Sequence, residues 1–278
     1  MNVYEQTLLL WLGSLLGGFL GALTGLGGGV VLVPLLTLGF GVDIRYAIGA
    51  SLVAVIATSS GAAAAYVEQG YANIRVGMFL EIATTLGALA GAFLAAFVPT
   101  SATAVLFGLV LVYSAYASLR SPADRPGADK PDPLAQRLRL DGDYPSPHGQ
   151  ESYHVHAVPS GFALMTVAGG LSGLLGIGSG ALKVLAMDRV MRIPFKVSTT
   201  TSNFMIGVTA AASAGVYLQR GYIDPGLAMP VVLGILPGAL AGTRVLLKAQ
   251  VRPLRLLFAL VVLALAAQMI YHGLAGKP

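Results

Sequence analysis

The chain is written in long apolar runs separated by short polar breaks. The runs cover about residues 7–24, 30–40, 45–67, 74–98 and 102–119, then 158–175, 181–191, 196–218, 225–246 and 253–272. Most are far longer than a strand, and none shows the two-residue alternation of a membrane β-barrel. About 20 apolar residues cross a hydrocarbon core roughly 30 Å thick. The runs at 30–40 and 181–191 have only about eleven residues and, at 1.5 Å per residue, reach about 16 Å, or half a bilayer. Each follows a glycine cluster: GLGGG at Gly25 and GIGSG at Gly176. The pattern predicts an all-α integral membrane protein.

The two clusters are 151 residues apart, and that offset repeats. It pairs Ser51 with Ser202, Thr58 with Thr209, Tyr66 with Tyr217, Gly70-Tyr71 with Gly221-Tyr222, and GALAG at 87–91 with GALAG at 238–242. Self-similarity held without a gap marks a duplication. The expected architecture is two inverted repeats of about five segments each, giving about 8 full spans and 2 short glycine-broken half-helices. The divisions are residues 1–119, a linker at 120–157, and 158–278.

Cationic residues choose the orientation. With inverted halves, one side receives Arg75, Arg120, Arg125, Lys130, Arg137, Arg139, Arg189, Arg192, Lys196, Arg244, Lys248, Arg252 and Arg255; the other receives Arg45, Arg220 and Lys277. Parallel halves would split the charge evenly. The positive-inside bias therefore makes the linker cytoplasmic and places both termini outside. The linker is rich in Pro, Asp and Arg and reads as aqueous, with a short basic helix at 134–140. It holds His148, His154 and His156, for which a solvated loop is the simpler reading than a metal site.

Composition sharpens this picture. Apolar residues make up 55% of the 278 and charged residues 10%, against about 25% charged in soluble domains. The chain has no cysteine, which excludes disulfides and thiolate-bound metals. No Lys or Arg precedes the first apolar run, so that run reads as a retained helix rather than a cleaved signal. The net charge of +5 follows from loop orientation and gives no reason to expect nucleic acid.

A helix that begins inside the membrane leaves its first N–H groups unpaired and carries a partial positive charge. Two such starts, after Gly27, Gly28 and Gly29 and after Gly178, Ser179 and Gly180, form a site suited to an anion. Lys183 falls in the first turn of the second. A buried ammonium there is unfavourable unless an anion joins it; the alternatives are snorkelling to an interface or pairing with Asp188. Its counterpart at the repeat offset is Leu32, so the duplication does not require it. On this reading Lys183→Met weakens anion binding and leaves folding intact. Residues 198–203 read STTTSN where the first half has AIGASL at 47–52. Thr200, Ser202 and Asn203 are the candidate substrate or gate contacts, with back-bonding to the helix as the alternative. Glu81 lies within an apolar run and is the candidate coupling carboxylate, or else a near-interface ion pair. Ser179 lacks the glycine two residues earlier that an intramembrane serine protease needs, and GLGGGV lacks the final glycine of a dinucleotide fingerprint. The spacings of Gly17/Gly21/Gly25 and Gly87/Gly91 fit close helix packing.

The stretches GALTGLGGGVVLVPLL, GLLGIGSGALKV and PFKVSTTTSNF resemble the sulfite exporter TauE/SafE family. The resemblance covers nearly the whole chain apart from the linker. It implies a multi-pass carrier in a bacterial inner membrane for sulfur-containing anions such as sulfite, sulfonates or sulfoacetate, with the glycine loops and the 198–203 run in the substrate region. The implied partners are a small anionic substrate, a coupling H⁺ or Na⁺, and the lipid bilayer. No cofactor and no metal are called for, and no enzyme activity is expected. Glycine-lined faces permit a homodimer. The alternative function is a passive anion channel or a non-transporting membrane scaffold.

Overall fold

The computed structural model describes residues 3–24, 28–68, 71–119, 132–146, 149–248 and 251–276. The first part of the chain contains α1 (Val3–Thr24), α2 (Gly29–Pro34), α3 (Ile44–Glu68), α4 (Ile74–Leu94) and α5 (Thr100–Leu119). The second contains α7 (Val158–Leu175), α8 (Gly180–Leu185), α9 (Phe195–Gln219), α10 (Pro225–Lys248) and α11 (Val251–Leu274). Between them lie the short α6 (Pro133–Arg137) and a two-stranded antiparallel hairpin, β1 (Gly142–Ser146) and β2 (Gly149–Tyr153).

Helices α2 and α8 run directly into one wider π-helical turn, Leu35–Gly39 and Ala186–Val190. Both close in the same way: Val42 donates its N–H to the carbonyl of Leu36, and Ile193 to that of Met187. Pro34 stands just before the first wide turn, where its missing N–H would disturb a helix. Leu185 occupies the matching place in the second half, so the wide turn does not depend on the proline.

Apolar residues lie on every side of these helices, as in segments that face both protein and lipid. On α4, Met78, Ile82 and Leu86 form an exposed stripe four residues apart, and on α10 Met229, Leu233 and Leu240, spaced by four and seven, are exposed as well. Such faces need a hydrocarbon partner. Among the described residues Ile74–Leu94, Val158–Leu175 and Pro225–Gly242 are long and apolar enough to cross a membrane. The chain is an all-α membrane protein, with the linker hairpin as its one small exception among the described residues.

The inner faces pair crosswise between the two parts: α1 packs on α10, α4 on α7, α5 on α11, and α3 on α9. Glycines make the closest approaches. A β-carbon at Gly87 would overlap the carbonyl of Thr166, at Gly91 that of Gly170, and at Gly173 of α7 that of Ala88. The small residues let α4 and α7 touch backbone to backbone. The Gly87/Gly91 face is thus used within the chain, and a homodimer would need another surface. Gly17 meets only side chains of α2; the side chain positions around Gly21, and Gly25 itself, lie outside the described residues.

The described part of the linker, residues 132–146 and 149–157, packs against the membrane helices. Its helix ends at Arg137, and a hairpin follows that hydropathy does not signal. Ala135, Leu140, Tyr153 and Val155 are buried against Val76, Leu80, Met187 and Met191 at the ends of the membrane helices. Asp132 caps α6 by accepting from the N–H of Leu134 and also accepts from that of Val158, which fixes the start of α7. Asn73 caps α4 and donates through Nδ2 to the carbonyl of Leu140 and to the Tyr153 hydroxyl, at 2.9 and 2.7 Å. Burial pushes the Tyr153 phenol up to about 12, so it stays neutral and bonded at physiological pH. His154 pairs with Asp141 at 3.0 Å, and His148 lies outside the described residues.

Candidate functional site

The glycine cluster before α8 is required by its backbone. Gly176, Gly178 and Ser179 all adopt left-handed conformations, with φ of 67°, 70° and 44°. Such a path favours glycine, and at Gly178 a side chain would also press on Ile206, 2.8 Å away. The chain reverses within four residues and starts α8 at Gly180. In the first half Gly28 is right-handed, with φ −63°, while Gly27 lies outside the described residues. The two clusters touch. The Ser51 hydroxyl donates to the carbonyl of Gly176 at 2.9 Å, and a β-carbon on Gly29 would stand 2.7 Å from that hydroxyl and 2.9 Å from that carbonyl.

One turn beyond Ser179, Lys183 is fully buried. Its ammonium donates to Oγ1 of Thr209 on α9, at 2.5 Å. Thr209 in turn lies 2.7 Å from Oε1 of Glu81 on α4, 2.9 Å from the carbonyl of Met205 and 3.4 Å from Oγ1 of Thr84. A hydroxyl has one hydrogen, and the charge-assisted bond to the carboxylate is the strongest use of it. Thr85 also reaches Oε1 of Glu81, at 3.2 Å. Lysine, threonine and glutamate from three helices therefore form one buried chain of hydrogen bonds.

The hydrogen-bonding capacity of this cluster is not exhausted. An ammonium has three donors, and one hydrogen bond is made here. Oε2 of Glu81 and Oγ of Ser179 are buried without any hydrogen-bond partner. Buried polar atoms are ordinarily paired; among the described residues the hydroxyls of Ser14 and Ser172 are likewise buried without a partner. Lys183 does not pair with Asp188, which sits 3.5 Å from Nε of Arg189. Glu81 is 8% exposed.

The 198–203 run is mostly occupied by structural bonds. Thr200 donates to the carbonyl of Tyr71 or back to that of Lys196, both at 2.9 Å. Thr201 accepts from the N–H of Asn73, and Ser198 bonds to the carbonyl of Ile193. Ser202 reaches the carbonyl of Gly180 at 3.4 Å and so borders the glycine turn. Asn203 is half-buried on α9. Sequence reasoning missed Thr209 as a site residue. Its repeat counterpart, Thr58, is also a threonine, so the pair counted as evidence of duplication and not as chemistry. No sequence signal marks it, because its reach to Lys183 and Glu81 exists only in the folded packing.

Long apolar helices thus enclose a buried ionic cluster. Comparison with known proteins gives the class: the family model for the sulfite exporter TauE/SafE matches residues 10–269. The chain belongs to that family and is a transmembrane transporter. It is 28% identical over 268 residues to a Bacillus subtilis (strain 168) protein described as "Probable membrane transporter protein YunE", covering 94% of this chain and 96% of that one. It is also 28% identical over 277 residues to a "Probable membrane transporter protein" of Xylella fastidiosa (strain 9a5c), covering 98% of each. No solved structure matches the chain.

Proposed function

We propose that the protein is a secondary carrier of small sulfur-containing anions of the sulfite, sulfonate or sulfoacetate type, working by alternating access and coupled to an ion. The carrying observation is Lys183: a fully buried ammonium with unused donors, one helical turn after the unpartnered Ser179 and its glycine turn. Gly29 lies close to the carbonyl of Gly176 in the glycine turn, and Ser202 reaches the carbonyl of Gly180 at the start of α8. The crosswise packing of α1 on α10 and α4 on α7 supports two inverted repeats meeting around the site. That symmetry gives alternating access a mechanical basis, since one repeat can rock against the other. The excess of cations on one side supports a cytoplasmic linker in a multi-pass protein of a bacterial inner membrane.

A panel of sulfite, thiosulfate, sulfate, alkyl sulfonates and carboxylates, read by thermal unfolding of the purified protein, tests the reading. A ligand stabilises the state that binds it, so at least one sulfur oxyanion should raise the melting temperature while acetate does not. Equal response to every anion, or to none, would contradict it.

A further inference from the structure

We propose that the Lys183–Thr209–Glu81 cluster takes a singly charged oxyanion together with one proton, the proton going to Oε2 of Glu81. The inference rests on the anion-site reading above and adds the charge of the substrate and the identity and number of the coupling ion.

The argument is one of charge. The cluster holds one cation and one anion, linked through the Thr209 hydroxyl. It is neutral when empty. An arriving monoanion would leave one uncompensated negative charge in a buried place, which is strongly unfavourable. Protonation of Glu81 removes that charge. A hydronium ion gives its proton to Oε2, an O–H bond forms, and water leaves. Oε2 is the oxygen without a partner, whereas Oε1 is held by Thr209 and Thr85. Thr209 can therefore keep its place while the other oxygen changes state. The loaded cluster of ammonium, neutral carboxyl and monoanion is again neutral. A dianion with one proton would leave the cluster charged.

Among the described residues no other charged side chain bonds to the cluster. Among the described residues, α4 carries only Arg75, exposed at its start, and Glu81 itself. Helix α7 has no ionisable residue. Lys196 of α9 is exposed at the far end of that helix, and Tyr217 bonds to the carbonyl of Leu174. Helix α5, which touches α8, offers only Tyr113 and Tyr116. Helix α3, packed on α9, carries Arg45 at its start, over the Tyr222 ring, and Glu68 at its end, whose side chain lies outside the described residues. Asp188 lies beside Arg189. A sodium ion fits less well than a proton, because it would seek several oxygens beside an ammonium already bonded to the shared hydroxyl. The site is also single. At the repeat offset Lys183 corresponds to Leu32, Glu81 to Val232 and Thr84 to Ile235, so the first half cannot build a second copy.

Methanesulfonate and sulfate are nearly the same size, differ by one charge, and keep their ionisation through the working pH range. Calorimetric titration of each into the purified protein, in buffers of different ionisation enthalpy, measures affinity and proton uptake together. The expected result is uptake of about one proton per methanesulfonate, with affinity rising about tenfold per pH unit on acidification while Glu81 is ionised. Sulfate should bind at least about tenfold more weakly, a difference of 1.4 kcal/mol. In Glu81→Gln, methanesulfonate should bind without proton uptake and without pH dependence. Methanesulfonate binding with no proton uptake by the parent protein, unchanged uptake in Glu81→Gln, or equal affinity for sulfate would overturn the inference and leave the anion site standing. No binding of either anion by the parent protein at any pH would overturn the anion site as well. The uptake and selectivity measurements use the parent protein, so they decide the matter even if the variant does not fold.

Discussion

Lys183→Met will destabilise the protein, and a second substitution, Glu81→Gln, will restore most of the loss. Lys183 and Glu81 are both buried and are joined through Thr209. Removing one partner of a buried ion pair costs about 3–5 kcal/mol, because it strands the other charge, while removing both is often nearly neutral. Thermal unfolding of the parent, both single variants and the double variant closes the cycle. Additive losses would show that the two side chains do not interact. The expectation of intact folding, drawn from the sequence with Lys183 as an unpaired charge, is revised here. The structure gives Lys183 a counter-charge that hydropathy could not locate.

The second large effect concerns driving force. If one proton moves with each monoanion, a gradient of one pH unit stores about 1.4 kcal/mol and supports about tenfold accumulation. Proteoliposomes of the parent protein should reach that ratio with labelled methanesulfonate. Glu81→Gln should equilibrate without accumulating, and should still exchange internal for external substrate, because Lys183 remains to bind it. Accumulation by the variant equal to that of the parent would remove Glu81 from the coupling step.

Much of the site was legible because charge is conspicuous in an apolar run. Lys183 and Glu81 declare themselves by the cost of burying them, and the glycines before α8 by their number. Their partnership was not legible. Positions 81 and 183 fall on different halves, and only the packing of α4 and α8 on α9 brings them to Thr209. Threonine gives no signal of its own, since a helix can satisfy its hydroxyl internally, as the 2.9 Å approach of Thr209 to the Met205 carbonyl illustrates. The same property made the STTTSN run look more like a binding surface than its bonds to Tyr71, Ile193 and Asn73 support.

The short segments were legible from length and flanking glycine, and both appear at 29–39 and 180–190. The wide turn that ends each one was not, because Pro34 and Leu185 precede it equally well. The linker was the least legible part. Its proline, aspartate and histidine content matches a solvated loop. The hairpin exists because alternate contacts, Tyr153 and Val155 with Leu140, find an apolar floor in Val76 and Met187. That floor belongs to distant segments, and no local pattern announces it.

The central claim is that Lys183 holds the transported anion. Titration of methanesulfonate into the parent protein and into the Lys183→Met/Glu81→Gln double variant tests it most directly, because the double variant should be close to the parent in stability. A charge-assisted hydrogen bond is worth about 1.5–3 kcal/mol, so affinity in the double variant should fall by about ten- to a hundredfold. A stable double variant that binds methanesulfonate as tightly as the parent would contradict the account.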